Sequence, residues 1–210
     1  MGADWMSVIA DIEADWISAV ADVVQAIAVV IATTLAIRGI NDWRRQMLGK
    51  RKVEIAEQTL VATYKVQGAM AFIRSPAGYE GEGKTRTKAV TEAENLARVL
   101  DGYFVPIERI RKASEDFAEF LRLRLLCKVH FGSKSAEPFD EILKARDRVV
   151  LAANMLSMTA EDRLYGEKTD LALFREWQSL IWDMGDEDLL TPTIRAAVGR
   201  IEEICGRHLI

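Results

Sequence analysis

Cysteine, histidine and proline are all scarce in this chain. Two cysteines among 210 residues exclude a disulfide scaffold. Four prolines and thirteen glycines are too few for a collagen-like or low-complexity chain. A hydrophobic share of 50% excludes a wholly disordered one. A basic excess is missing too: 28 Lys and Arg stand against 32 Asp and Glu, a net charge of −4. That balance argues against a chain built to grip nucleic acid, so no nucleic-acid partner is expected. No alternating strand pattern and no internal repeat stand out. Nor is there an arrangement for nucleophilic catalysis. Each histidine lies near a cysteine without a protease motif around it, and no pair of the plentiful carboxylates is singled out as acid and base. No catalytic, cofactor-binding or metal-binding residue is therefore assigned.

What the chain does have is charge sorted by position. Residues 1 to 37 contain Asp4, Asp11, Glu13, Asp15 and Asp22 and no Lys or Arg. Residues 38 to 52 contain Arg38, Arg44, Arg45, Lys50, Arg51 and Lys52 against Asp42 alone. Between the blocks, Ala19 to Ile40 is apolar, and its centre carries nothing more polar than Thr33 and Thr34, whose hydroxyls can bond back to the helix's own carbonyls. These 22 residues make about 33 Å of helix, enough for a ~30 Å hydrocarbon layer. Trp16 and Trp43 bracket the span near the two interfaces. The cations that follow it predict a cytoplasmic C-terminal part and an acidic segment, residues 1–18, outside. A cleaved signal peptide fits badly, because its basic residues should precede the apolar run. Two other readings stand beside this one: an interfacial amphipathic helix, since Asp4, Asp11, Asp15, Ser18, Asp22 and Gln25 form one polar stripe, and a core helix of a soluble bundle. The charge step at Arg38 favours the membrane, because a soluble core helix has no need of it.

The remainder predicts helices, so the expected fold is all-α: a transmembrane helix at 19–40 feeding a cytosolic helical domain, 41–210, with a bundle of about five helices. Within it, 41–74 reads as a stalk-like helix with Val53, Ala56, Leu60, Tyr64, Gly68 and Ala71 on its apolar face. Residues 75–87 read as a Gly-rich loop after Pro76, and 88–210 as the bundle. A helix from about Lys88 to Gly102 should break or kink at Tyr103–Pro106, with Pro106 in the first turn of the next. The next should bury Ile107, Ile110, Ser114, Phe117, Leu121 and Leu125 and run to Phe131. Pro138 should open another, with Phe139, Ile142, Val149, Ala153 and Leu156 inward. Asp170 should cap a short helix through Trp182, on which Leu171, Phe174, Trp177 and Ile181 share a face. Thr191 and Pro192 should be the cap and first residue of the last helix, with Ile194, Val198, Ile201 and Cys205 inward.

Three constellations bear on function. Gly78-Tyr-Glu-Gly-Glu-Gly83-Lys84-Thr85 matches the phosphate-binding pattern G-x-x-x-x-G-K-[ST]. That loop needs a buried strand before it and a helix after it, and here a helical pattern precedes it and Glu80 and Glu82 fall inside it. Leu180-Ile-Trp-Asp183 is the only faint candidate for a magnesium-holding strand. The second is the pair Cys127-x-x-His130 and Cys205-x-x-His208, four residues that could supply a tetrahedral zinc site if the last helix packed near the end of the Phe117 helix. Against it, both cysteines lie on apolar stripes, where free cysteine is a small core residue. The third, the collar from Trp43 to Lys52, suits anionic lipid heads or serves only as a topology signal.

The residues Trp43-Arg-Arg, Gly49-Lys50, Glu54-Ile-Ala-Glu57, Leu60, Tyr64, Ile73-Arg-Ser-Pro76 and Gly81-Glu-Gly83 resemble a recurrent group of uncharacterised bacterial proteins with one N-terminal membrane helix and a helical cytosolic part. The likeness covers about residues 20 to 85. It implies a bacterial inner-membrane location and carries no activity or functional residues. The expected role is a membrane-anchored docking or regulatory protein without catalytic activity, whose partners are the lipid bilayer and a protein, itself included. A nucleotide-binding enzyme using 78–85 and a zinc-stabilised helical module are the alternatives.

Overall fold

The structure, a computed structural model, describes the backbone of residues 4–166, 170–185 and 188–209, with side chains in the first helix described at residue 20 and from residue 23. Trp16 and the acids Asp4, Asp11, Glu13, Asp15 and Asp22 lie outside the described side chains. The described residues are helical without strands: α1 (Asp4–Ile73), α2 (Glu94–Lys112), α3 (Ser114–Phe131), a 3₁₀ turn (Ser133–Ala136), α4 (Glu137–Met158), α5 (Ala160–Leu164), α6 (Leu171–Ile181) and α7 (Thr191–Leu209). The chain divides within α1 into two compact units, Met1–Arg51 and Lys52–Ile210.

The first unit's described residues form a single helix, and its described apolar side chains, at residue 20 and from residue 23, have no cover. From Val20 to Leu48 the large hydrophobics are 43% to 65% exposed. Its most apolar 18-residue stretch has a mean hydropathy of 2.0 and no buried residue, so it is long and apolar enough to cross a membrane. Thr33 and Thr34 donate their hydroxyls to the carbonyls of Val29 and Val30, both at 2.8 Å, which satisfies the only polar side chains of its centre.

The second unit is a bundle centred on α4, which packs against α2, α6 and α7. Phe139, Ile142, Val149, Ala153 and Leu156 are all buried on α4, as their spacing predicts. Phe120 of α3 packs on Phe139 with ring centroids 4.7 Å apart and planes tilted by 35°. The end of α1 is a core helix of this bundle rather than a stalk standing clear of it. Its buried face is Ile55, Ala56, Thr59, Ala62, Thr63, Val66, Met70 and Ile73, about one residue out of step with the expected stripe. Two threonines disguise that face: Thr63 bonds the Thr59 carbonyl at 2.7 Å, and the Thr59 hydroxyl lies 3.3 Å from Cys127 Sγ. Tyr64 and Phe72 stay exposed.

The expected break at Tyr103–Pro106 does not occur. α2 runs through Pro106, and the chain bends at Ala113, whose N–H bonds the Arg109 carbonyl at 3.0 Å. A proline inside a helix costs about 3 kcal/mol, and burial of Tyr103, Val105, Pro106 and Arg109 offsets it. Charge marks the true boundary: Arg109, Arg111 and Lys112 close α2 and Glu115 and Asp116 open α3, each suited to the local helix dipole. The core face of α3 is accordingly Phe117, Phe120, Leu123 and Cys127, with Leu121 and Leu125 outside. Asp170 caps α6 as expected, accepting from the N–H groups of Ala172 and Leu173. Leu171 of that helix is exposed, whereas Ile181 is buried. α7 starts one residue earlier than its Thr-Pro signal suggests. Asp188 accepts from the N–H groups of Leu190 and Thr191, and Thr191 lends its hydroxyl to Arg74.

Candidate functional site

Two fully buried arginines organise the segment after α1. Arg74 donates through Nε to the Leu180 carbonyl at 3.0 Å and through its terminal nitrogens to the carbonyls of Ser179 and Trp182, to Thr191 Oγ1 and to both oxygens of Asp188. A guanidinium has five donors in a fixed fork, and every one is used here. Burial opposes the Asp188 charge, but the bonds from Arg74, Thr191 and the α7 backbone hold its carboxyl far below the ordinary range. Arg109 does the same for the loop. It donates to the carbonyls of Phe72, Ser75 and Ala77 and to both oxygens of Glu82, and its guanidinium lies 4.6 Å from the Phe72 ring centroid. The Arg109 hydrogen bond lowers the Glu82 pKa to about 2. Each arginine ties the chain end of α1 to another helix.

The 78–85 loop is part of this structural clamp and does not have phosphate-binding geometry. A helix precedes it, and the next helix begins at Glu94, nine residues after Thr85. The groups that would wrap a phosphate hold a protein carboxylate instead: Gly83 N–H and Thr85 Oγ1 both donate to Glu108 Oε2, at 2.8 and 3.1 Å. Gly83 has φ +79°, and a Cβ there would sit 2.0 Å from the Asp101 carbonyl oxygen. Glycine is required by the fold rather than by a ligand. Gly78, Lys84 and Thr85 are exposed. Leu180–Asp183 is no strand; it closes α6, and Asp183 N–H bonds the Arg74 carbonyl at 2.7 Å.

The cysteine–histidine pairs come together only in part. Cys127 and Cys205 are both fully buried thiols. Burial, with Cys205 also feeling Cys127, pushes the Cys205 pKa up to about 12, away from the thiolate a metal needs. His208 stacks on Phe131 with centroids 4.2 Å apart, so α7 does pack near the end of α3. Among the described residues no three His, Cys, Asp or Glu side chains are placed to share an ion. The collar residues Trp43, Met47 and Leu48 are 50% to 61% exposed.

The surface feature that sequence reasoning missed is a groove along the bundle. One hollow of about 270 Å³ is lined by Glu57, Gln58, Val61, Ala62, Lys65, Asp116 and Glu119. A second, of about 420 Å³, is lined by Lys65, Gly68, Ala69, Phe72, Arg109, Lys112, Ala113 and Asp116. They share Lys65 and Asp116, so the two form one channel between the end of α1 and the α2–α3 bend. From Glu57 to Phe72 it follows about 22 Å of helix. Its floor is small or apolar: Val61 and Phe72 are 57% and 42% exposed, and Gly68 leaves open space where a side chain would stand. Glu57 and Glu119 rim one end, Lys112 lies toward the other, and Lys65 and Asp116 stand between them. This lining offers no nucleophile or metal ligand set; it offers four helical turns of apolar contact between charged rims. Periodicity could not reveal it, because it depends on where α3 packs against α1. No family model, no curated protein and no solved structure matches the chain.

Proposed function

We propose that this chain is a single-pass membrane protein whose helical bundle docks another protein. Residues 19–40 span the bilayer, 1–18 lie outside and 41–210 lie in the cytoplasm. The bacterial inner membrane is the location that the sequence resemblance implies. The observation that carries the reading is the first unit: a helix whose valines, isoleucines and leucines stand more than 40% exposed for over 25 residues. In water such a contiguous apolar surface would associate, whereas in hydrocarbon it needs no cover. The cations from Arg38 to Lys52 support the orientation. The docking role rests on the groove between Glu57 and Phe72. It has the size and the apolar floor for one face of an amphipathic helix, with basic residues of that helix toward Glu57 and Glu119.

Membrane fractionation tests the first part. The full chain should remain in the pellet after alkaline carbonate, and a chain beginning at Trp43 should become soluble; recovery of the full chain in the supernatant would refute it. For the second part, a photo-crosslinking side chain in place of Lys65, which lines both hollows, should capture a protein partner in native membranes, and adding Val61→Asp should abolish capture. An unchanged crosslink pattern in Val61→Asp would remove the groove from the account.

A further inference from the structure

The apolar half of α1 has two unlike faces. At ~100° per residue, Gln25, Ala28, Ala32, Ala36 and Gly39 fall within an arc of about 80°, with Val29 and Leu35 at its margins. The far side carries Val20, Val23, Ile27, Val30 and Ile37. The helix is unbroken through this stretch, so the register holds. One face is therefore nearly smooth and the other is knobbed. All of these residues are exposed, and a Cβ added to Gly39 would meet nothing within 4 Å.

Shape alone would leave the smooth face to lipid. Gln25 changes the balance. It stands five residues before Val30, the middle of the span, so its depth is about 7 Å from the midplane of a hydrocarbon layer ~15 Å deep on each side. Its amide carries two donors and an oxygen with two lone pairs. Thr33 and Thr34 bond carbonyls of their own helix, but Gln25 has no hydrogen-bond partner among the described residues. An amide left unbonded in hydrocarbon is costly, and no water is there to satisfy it. A helix packed on the smooth face would meet it.

We infer that this face pairs with the same face of a second copy of the chain, in a parallel dimer whose Gln25 side chains bond each other across the seam. The inference rests on the membrane reading above. Copies inserted with the same end outward bring Gln25 to Gln25 at one depth, and an amide is its own complement because it donates and accepts at once. The three alanines and Gly39 let the two backbones approach closely, which is how helices gain contact over lipid in a bilayer. The acids that the sequence sets on this side, Asp22 nearest, oppose the pair. Asp22 is three residues from the edge of the span, about 5 Å, close to water and salt that screen its charge. It weakens the pair without preventing it.

Cysteine crosslinking of the full chain in vesicles tests the seam. Ala28→Cys, Ala32→Cys and Ala36→Cys probe the smooth face, and Ile27→Cys, Val30→Cys and Ile37→Cys probe the far one. Cys127 and Cys205 are buried, and the chain without an added cysteine gives their background. Air oxidation with copper phenanthroline should yield about fivefold more disulfide-linked dimer from the smooth face than from the far one. In sedimentation equilibrium of the full chain in detergent micelles, Gln25→Leu should raise the dimer Kd about tenfold, and Ala32→Ile by a similar factor. Gln25→Asn should keep most of the affinity, because it keeps the amide. Equal crosslinking from both faces, or a Kd unmoved by Gln25→Leu and Ala32→Ile, in protein that floats with the vesicles, would overturn this inference and leave the anchor standing. Failure to float would overturn the anchor itself.

Discussion

The two halves of α1 carry the same kinds of side chain and do opposite things with them. Between Val20 and Leu48 every large apolar residue is at least 43% exposed, whereas Ile55, Val66, Met70 and Ile73 are at most 1% exposed. Both halves are helical, so helix propensity does not separate them. The difference lies in what surrounds each: the described side chains from Val20 to Leu48 are uncovered by the chain itself, and the second half is covered by α3 and α7. Apolar composition therefore reports a demand for a non-aqueous environment, and only packing tells whether protein or lipid supplies it.

Substitutions can break that contrast, and the largest effect belongs to the cation closing the covered half. Arg74→Met leaves Asp188 buried without its partner and strands the carbonyls of Ser179, Leu180 and Trp182. Loss of one member of a buried pair costs about 3–5 kcal/mol, so the denaturation midpoint of the bundle should drop sharply or folding should fail. Matched truncations address the halves directly. Ile73→Ala should destabilise the bundle by about 2–5 kcal/mol, while Ile31→Ala should leave its unfolding midpoint unchanged. Equal losses would mean that the first half is packed against the second unit.

Acid probes the clamp at Glu82. Its folded pKa of about 2 lies below the ordinary 4.5, chiefly through the Arg109 hydrogen bond. The stability it contributes is present above pH 4.5 and is lost as the pH falls toward 2. Glu82→Gln should therefore lower stability at neutral pH and flatten that acid limb; a limb of unchanged steepness would exclude Glu82 as its source. The smallest contrast is between two glycines of the loop. Gly81→Ala, at φ +90° with open space around it, should cost about 1–2 kcal/mol. Gly83→Ala should cost more, because its Cβ would collide with the Asp101 backbone. Chemical denaturation of both variants ranks them.

Much of this architecture was legible from residue order alone, and the misses share a cause. The inward face of α4, the Asp170 cap and the back-bonded Thr33 and Thr34 follow from local rules and period. The helix through Pro106 and the bend at Ala113 were not legible from the breaker, because tertiary burial around Pro106 overrides a local penalty. The charge switch from Lys112 to Glu115 was the signal that could have placed the boundary. The buried face of α1 was misread by one residue because Thr59 and Thr63 look polar until their hydroxyls find partners. The candidate site was the least legible part. Nothing in a linear pattern says that Arg109 will span from α2 to the Phe72 carbonyl, that Glu108 will fill the place of a phosphate, or that Val61 and Phe72 will stand on one groove.

The central claim is that the apolar half of α1 crosses a bilayer, and depth measurement along it tests this most directly. Spin labels placed one at a time at residues 24 to 40 of the full chain in vesicles report the ratio of collisions with oxygen, which prefers lipid, to those with an aqueous nickel complex. The account predicts one smooth maximum of that ratio near Val30 and Ile31, falling on both sides toward Val24 and Ile40. An oscillation with a period of 3.6 residues would mark a helix lying in the interface. Low collision rates with both reagents throughout would mark a helix buried in protein. Either pattern would contradict the account.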